Sequence, residues 1–361
     1  MTNKNDSILV FEYFTASGEK EKSIISEAEE LLFALLDDLK ECTLDLVINK
    51  SYEDKIGEFN VNPIFISENI IDWLSNNASN FNKAIFIAGE NDNNLYKITK
   101  ILEENNVETY TSSAEACFKA SDKYETYQAL PITIPQPKSF RFKIDPKGYW
   151  KRAIENLHEK WQSEDPLSPL KLIIKPLIGV DCENIIIIEE IDDLSYDLEQ
   201  IFPQGSRIIV QEYIEGIDIS VSLISDGKKA IPISLNKQFV ELKDDKGIYL
   251  GGKIPFENKY GEEAFEIATN AVELIDGLKG FVGVDLLINA DEKDVYSVYL
   301  LEINSRFTTP YVGLKQIVNF NIGKSIIEIL DGEKDISDLD ISLDGEVEFK
   351  KSGDSLDIRR L

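Results

Sequence analysis

A chain of 361 residues with one histidine, His158, one methionine and six arginines has a narrowed chemistry. A single imidazole nearly excludes catalysis by a histidine base and any histidine-rich metal cluster. Cys42, Cys117 and Cys182 are odd in number and share no ligand spacing, which argues against a disulfide framework or a zinc site. Cys182 reads as a bystander thiol. Positive charge is short as well: 38 Lys and Arg against 66 Asp and Glu give a formal net charge of −28. A field of that sign repels nucleic-acid phosphates and anionic lipid. It leaves an anionic nucleotide to be held by a few local cations and favours a cationic co-substrate. No apolar run approaches the ~20 residues of a membrane span, and Met1–Ser7 is polar without a signal core. A cytoplasmic protein is expected, with neither nucleic acid nor membrane as partner; a homodimer stays open.

What is present is ordinary for a globular chain, with 43% hydrophobic and 29% charged residues, and the length calls for two or three lobes. Ile8–Phe14 is an apolar run of strand length, followed by a small-residue turn, Thr15–Gly18. A helix follows with Leu31, Leu32, Leu35, Leu36 and Leu39 on one stripe. Strand-like Leu44–Asn49, Pro63–Ser67 and Ala84–Ala88 alternate with helices around Ile70–Leu74 and Leu95–Leu102, the pattern of a parallel-sheet α/β domain over 1–111. Ser112 or Ser113 can cap a short helix, and Ser121 the next. Pro131, Pro135 and Pro137 mark a linker. A lid-like lobe of about 149–212 holds a helix at Tyr149–Trp161, strands Lys171–Lys175, Asn184–Ile188 and Arg207–Ile214, and a helix through Leu194–Ile201. A larger, strand-rich lobe of about 213–330 turns at Asp226-Gly227, Asp245-Lys246-Gly247 and Gly251-Gly252, with helices near Glu262–Leu278 and Ile322–Leu330. Residues 331–361 read as an acidic tail with one strand at Glu346–Lys350.

The chain is organised around Tyr299–Arg306. Strand alternation sends Leu301 and Ile303 to one face, Glu302 and Asn304 to the other. Phe281–Ile288 is a second strand. A symmetric hairpin over the polar turn Asn289–Asp294 would set Asp285 opposite Val298, on the Glu302/Asn304 face. Asp, Glu and Asn oxygens suit magnesium, which shares its shell with substrate phosphates. Alone, such a face equally suits a hairpin meeting water. Lys175, at the end of an apolar strand and stiffened by Pro176, can meet phosphate oxygens as a point charge, although a strand-end lysine is commonly just solvated.

Four motifs occur in order: Ser121-Asp122-Lys123, Lys175-Pro176, Gln211–Asp218 and Glu302–Arg306. Together they resemble the ATP-grasp superfamily of carboxylate–amine ligases across about residues 110–330, within the 112–330 span. The resemblance implies an α/β, α+β-lobed ATP-grasp fold behind the N-terminal domain, with ATP and two Mg2+ (or Mn2+) ions. It implies that Lys123 and Lys175 bind phosphates, and that Gln211 reaches the adenine amine while main-chain groups of Glu212 and Ile214 pair with the ring edge. Asp218 would accept ribose hydroxyls, and Arg306 would hold the acyl-phosphate or a substrate carboxylate. Asp285, Glu302 and Asn304 would be the metal ligands. The loop Leu177–Glu183 departs from the pattern, carrying one glycine where relatives carry several.

Phe11–Gly18 and the helix bearing Glu27, Glu29 and Glu30 resemble a narrower archaeal group of that superfamily, in methanofuran biosynthesis. That resemblance implies glutamate activated at its γ-carboxyl and tyramine as the amine, with Glu12 and Tyr13 near the substrate. Without that resemblance, the stretch reads as Phe14 packed in the core and Glu12 solvated. A ligase for another amino acid or peptide, or a nucleotide-binding regulator without turnover, are the alternatives.

Overall fold

The computed structural model describes residues 5–361 except 165, 167–169, 180–183, 195–197, 199–200, 244–245 and 292–293. It bears out the mixed α/β architecture, with a five-, a four- and a seven-stranded sheet. The first is wholly parallel: β1 (Asn5–Glu12), β2 (Leu44–Asn49), β3 (Asn62–Ile66), β4 (Phe81–Ile87) and β5 (Glu108–Thr109) in the order β3-β2-β1-β4-β5. Its inner strands are apolar on both sides because both faces are covered. Ile8 and Val10 pack with Leu32 and Leu35 of the helix Lys22–Asp38, and Leu9 and Phe11 pack with Trp73 and Leu74. The turn expected at Thr15–Gly18 is instead the end of a short helix, Tyr13–Ser17. Glu12 caps it by accepting from Phe14 N at 3.0 Å and Thr15 N at 2.7 Å, and Gly18, at φ 75°, closes it by donating to Phe14 O.

Ser113 caps the helix Ala114–Ser121, as expected. The next helix, Lys123–Ala129, is capped by Asp122, whose Oδ1 accepts from Tyr124 N and Glu125 N, while Ser121 Oγ donates to Phe118 O. A carboxylate is the better acceptor for two amides at a helix start. The small sheet runs β6 (Ser139–Lys143), β9 (Arg207–Glu212), β7 (Leu172–Pro176), β8 (Ile186–Ile188), so it begins before the expected lobe boundary at 149. The helix Tyr149–Glu164 covers it through Trp150, Ile154 and Trp161. The helix expected through Leu194–Ile201, Cys182 and most of loop 177–183 lie largely or wholly outside the described residues.

The large sheet is antiparallel: β10 (Gly216–Asp226), β11 (Ala230–Lys243), β12 (Lys246–Ile254), β13 (Lys279–Asn289), β14 (Val298–Asn304), β15 (Val347–Ser352) and β16 (Ser355–Arg360), in the order β14-β13-β10-β11-β12-β15-β16. The helix Gly261–Glu273 buries Ala264, Ala268, Ala271 and Val272 against it. Residues 331–361 are therefore not a tail. β15 pairs with β12, and Val347, Phe349 and Leu356 share a core with Leu32 and Leu35 of the N-terminal domain. A buried carboxylate closes the same junction: Asp38 accepts from Tyr311 Oη at 2.7 Å and Gly323 N at 3.0 Å, and lies 3.1 Å from Lys315 Nζ. A Cβ at Gly323 would stand 2.9 Å from Asp38 Cβ, so glycine permits that approach.

The register between β13 and β14 differs from the symmetric hairpin. Ile288 pairs with Val298, so the connection is longer than six residues, and an irregularity after Asp285 places Leu301 as an extra residue on β14. Asp285 consequently faces Glu302 directly, and Gly283 faces Asn304. Leu301 does not join Ile303 on the core face; it lines the cleft with Glu302.

Candidate active site

A cleft of about 450 Å³ lies where the small sheet faces the large one. Lys175 and Gln211 reach it from the small sheet, Asp285 from β13, Glu302 and Asn304 from β14, and Lys123 from the start of its helix. Glu212, Ile214, Asp218 and Arg306 also line it. All ten nucleotide, metal and anion residues singled out in the sequence thus converge. Glu12 and Tyr13 are not among its walls: Glu12 is 2% exposed with its carboxylate engaged in the helix cap, and Tyr13 packs edge-on against Phe14. Glu12 is therefore not solvated, and Phe14 is only partly buried. Burial pushes the Glu12 carboxyl up to about 7. His158 also stands apart, with a ring nitrogen 3.0 Å from Leu170 O.

The Asp285–Glu302 pair dominates the electrostatics. Burial, then the charge of Glu302, pushes the Asp285 carboxyl well above its ordinary value. Burial works the same way on Glu302, but Lys123 and Lys175 outweigh it and hold that carboxyl below its ordinary value. Lys123 Nζ lies 3.0 Å from Glu302 Oε2 and donates to Gly179 O at 3.2 Å. Gln238 Nε2 and Asn304 Nδ2 each donate to Asp285 at 2.8 Å. Two carboxylates set face to face, with an amide oxygen on the adjoining residue pair, form a hard-oxygen set that a divalent cation would stabilise. Among the described residues no group of three or more His, Cys, Asp or Glu is arranged for a metal, so water or phosphate oxygens would complete the shell.

At the connection between the lobes, Gln211 Nε2 donates to Ser139 Oγ at 2.7 Å, an orientation that suits an amine donor at its Oε1. Glu212 N is bonded to Lys138 O at 2.9 Å. Burial raises the Asp218 carboxyl, against the opposing charge of Lys175. Arg306 is held from the N-terminal domain: its Nε donates to both oxygens of Glu90, at 3.0 and 2.8 Å, and Nη1 to Phe307 O. Glu90 sits on the turn after β4, in which Asp92 and Asn93 take φ of 53° and 58°.

Sequence reasoning missed Gln238 and Glu90, and it named Glu27 only as part of the resembling helix, with no role, although it lines the cleft. Gln238 lies mid-strand in β11, where nothing local marks it. Glu90 carried a signal that went unused, because it follows the carboxyl end of a strand in an open parallel sheet, where ligands gather.

A sheet-bound carboxylate pair facing two lysines across a cleft between two lobes is the plan of one class of nucleotide-dependent enzymes. The chain belongs to the ATP-grasp family, whose domain matches residues 120–310. Among curated proteins it is similar to tyramine–L-glutamate ligase of Methanocaldococcus fervens, 32% identical over 316 residues, 85% of this chain and 89% of that one. The protein of the same name from Methanocaldococcus jannaschii is 32% identical over 317 residues, 85% and 84% of the two chains. Among solved structures, an Archaeoglobus fulgidus protein assigned to the ATP-grasp superfamily aligns with a TM-score of 0.69 at 24% identity, covering 98% of this chain and 99% of its own. Among the described residues no helix is long and apolar enough to cross a membrane.

Proposed function

We propose that this ATP-grasp ligase joins the γ-carboxyl of L-glutamate to the amine of tyramine, a step of methanofuran biosynthesis in the cytoplasm. A carboxylate oxygen attacks the γ-phosphorus of ATP, ADP leaves, and an acyl-phosphate forms. The amine nitrogen then attacks the acyl carbon, and phosphate leaves as the amide closes. The observation that carries the reading is the convergence of Lys123 and Lys175 with Asp285, Glu302 and Asn304 in one cleft; the likeness to the two tyramine–L-glutamate ligases supports the substrate pair.

In this reading Lys123 and Lys175 orient the phosphates, with Gln211, Glu212 and Ile214 around adenine and Asp218 at the ribose. Asp285, Glu302 and Asn304 would hold two magnesium ions, which when bound neutralise charge on the phosphoryl group in transfer. Arg306, fixed by Glu90, orients the acyl-phosphate or the substrate carboxylate. Positioning and electrostatics supply the catalysis, so none of the steps calls on His158. The test is ADP release by the purified full-length protein with glutamate and tyramine, each omitted in turn. Release that requires both supports the reading; equal rates with tyramine and ethylamine, or none with any glutamate–amine pair, reject the substrate assignment.

A further inference from the structure

We infer that the carboxylate of Glu27 receives a substrate's ammonium group at the Arg306 end of the cleft, an inference that rests on the ligase reading above. Glu27 belongs to the helix Lys22–Asp38 of the N-terminal domain, yet its side chain turns away from that domain's core and lines the cleft. Only 18% of the side chain is exposed. Thr309, three residues beyond Arg306, donates its hydroxyl to Oε1. The other oxygen, Oε2, lies 2.7 Å from Lys351 Nζ, which reaches over from β15. That same ammonium stands 5.9 Å from the ring centre of Tyr249, itself a cleft residue.

A carboxylate and an aromatic face around one alkylammonium form a recognition site for that group. Lys351 shows that a primary ammonium on a flexible stem is accommodated there. Arg306 supplies the opposite charge on the same segment as Thr309, so this end of the cleft carries an anion-binding and a cation-binding group, as a zwitterionic or aminated substrate requires. Of the other acids that line the cleft, Glu302 faces Lys123 and Asp285 accepts from Gln238 and Asn304, while Glu212, Glu215 and Asp218 lie on the segment that runs on from Gln211. Glu12, the carboxylate that sequence alone put forward, is buried in its helix cap. A substrate ammonium at Glu27 would displace Lys351 or share the carboxylate with it.

Two substrates carry such a group: the amino acid, at its α-carbon, and the amine. Steady-state ADP release by the full-length protein separates them. Wild type, Glu27→Gln and Lys351→Ala are compared while glutamate, tyramine and ATP are varied in turn. Loss of a charge-assisted contact should raise one KM about tenfold or more in E27Q, with the KM for ATP within about twofold. A rise for glutamate assigns the α-ammonium, and a rise for tyramine assigns the amine. Lys351→Ala breaks the same ion pair but should leave that KM equal or lower. If Glu27 only anchors the β15–β16 hairpin, the two variants would behave alike, and that result overturns the inference. So does an E27Q whose KM values for both substrates match wild type. Should E27Q not fold, Glu27→Asp replaces it: a shortened carboxylate should raise the same KM at an unchanged melting temperature, and no rise overturns the inference. A wild type that releases no ADP with this pair rejects the substrate reading and the inference with it, whereas an active wild type with an indifferent E27Q rejects the inference alone.

Discussion

Replacing Glu302 by Gln keeps the shape of the side chain and removes one charge from the centre of the site. On folding, two effects oppose each other. Glu302 Oε2 sits 3.0 Å from Lys123 Nζ with 27% of the side chain exposed, an ion pair whose loss costs about 1–2 kcal/mol. The same carboxylate faces Asp285 across the sheet, and removing that repulsion returns a similar amount. The net change should stay within about 1 kcal/mol, a shift of a few degrees in Tm. Nothing offsets the loss during phosphoryl transfer. The cation site drops from two carboxylates to one, and the fixed field around the phosphates loses the anion that orients Lys123. Removing one preorganised charged group from such a site costs about 3 kcal/mol, a factor of roughly 150 in turnover. The assay is ADP release at saturating magnesium, ATP and both substrates, alongside a melting curve. Turnover near wild type would refute the assignment, and a Tm loss beyond about 10 °C would show that Glu302 chiefly holds the fold.

Lys123→Ala and Lys175→Ala each remove a cation from the cleft of a strongly acidic protein, so ATP should bind about tenfold more weakly in each, and Lys123→Ala, which leaves Glu302 without its ion partner beside Asp285, should also lower Tm by a few degrees without nucleotide; unchanged affinity by calorimetry would make both ordinary structural residues. Glu12 gives a pH test. Its carboxyl, raised from 4.5 to about 7 chiefly by burial, keeps a proton in the fold that the unfolded chain releases, so its stabilisation is full below about pH 4.5 and lost as pH rises through about 7, a difference of roughly 3 kcal/mol. Glu12→Gln cannot ionise and should flatten that part of the stability profile in denaturant titrations between pH 5 and 8; equal slopes in the two proteins would show that Glu12 is not the group responsible.

The parallel domain was legible because its strands are buried on both faces. Leu9, Val10 and Phe11 need no alternation to read as a strand when helices cover both sides. The nucleotide and metal residues were legible for a different reason. Lys175, Asp285 and Glu302 are charged groups that stand out against apolar Ile174, Val284 and Ile303, while Lys123, Gln211, Glu212, Ile214 and Asp218 were legible only through the resemblance to the ATP-grasp motifs. The C-terminal strands were not legible as part of the large sheet. Lys350 and Lys351 interrupt the apolar pattern of β15, and the partner strand β12 lies about a hundred residues away in the chain.

The register of β13 and β14 shows where local pattern stops. Period-two alternation put Leu301 on the face of Ile303, and one extra residue on β14 moved it into the cleft. The same insertion brings Glu302 opposite Asp285. A symmetric pairing would have put Val298 there and separated the two carboxylates along the sheet. The contact between them, on which the proposed cation site rests, therefore depends on an irregularity that leaves no mark in composition or periodicity. The substrate end is less legible still. Arg306 is oriented by Glu90 from one side of the N-terminal domain, and Glu27 enters from a helix on another. These groups meet because that domain docks onto the large sheet, through Asp38 and Tyr311, the strands β15 and β16, and the contacts of Tyr110 and Lys83 with Asp331 among others. The residues proposed for the nucleotide fall in motifs of neighbouring residues, while Arg306, Glu90 and Glu27 come together through the packing of distant segments. A sequence can thus announce what the cleft does to ATP well before it reveals what the cleft joins.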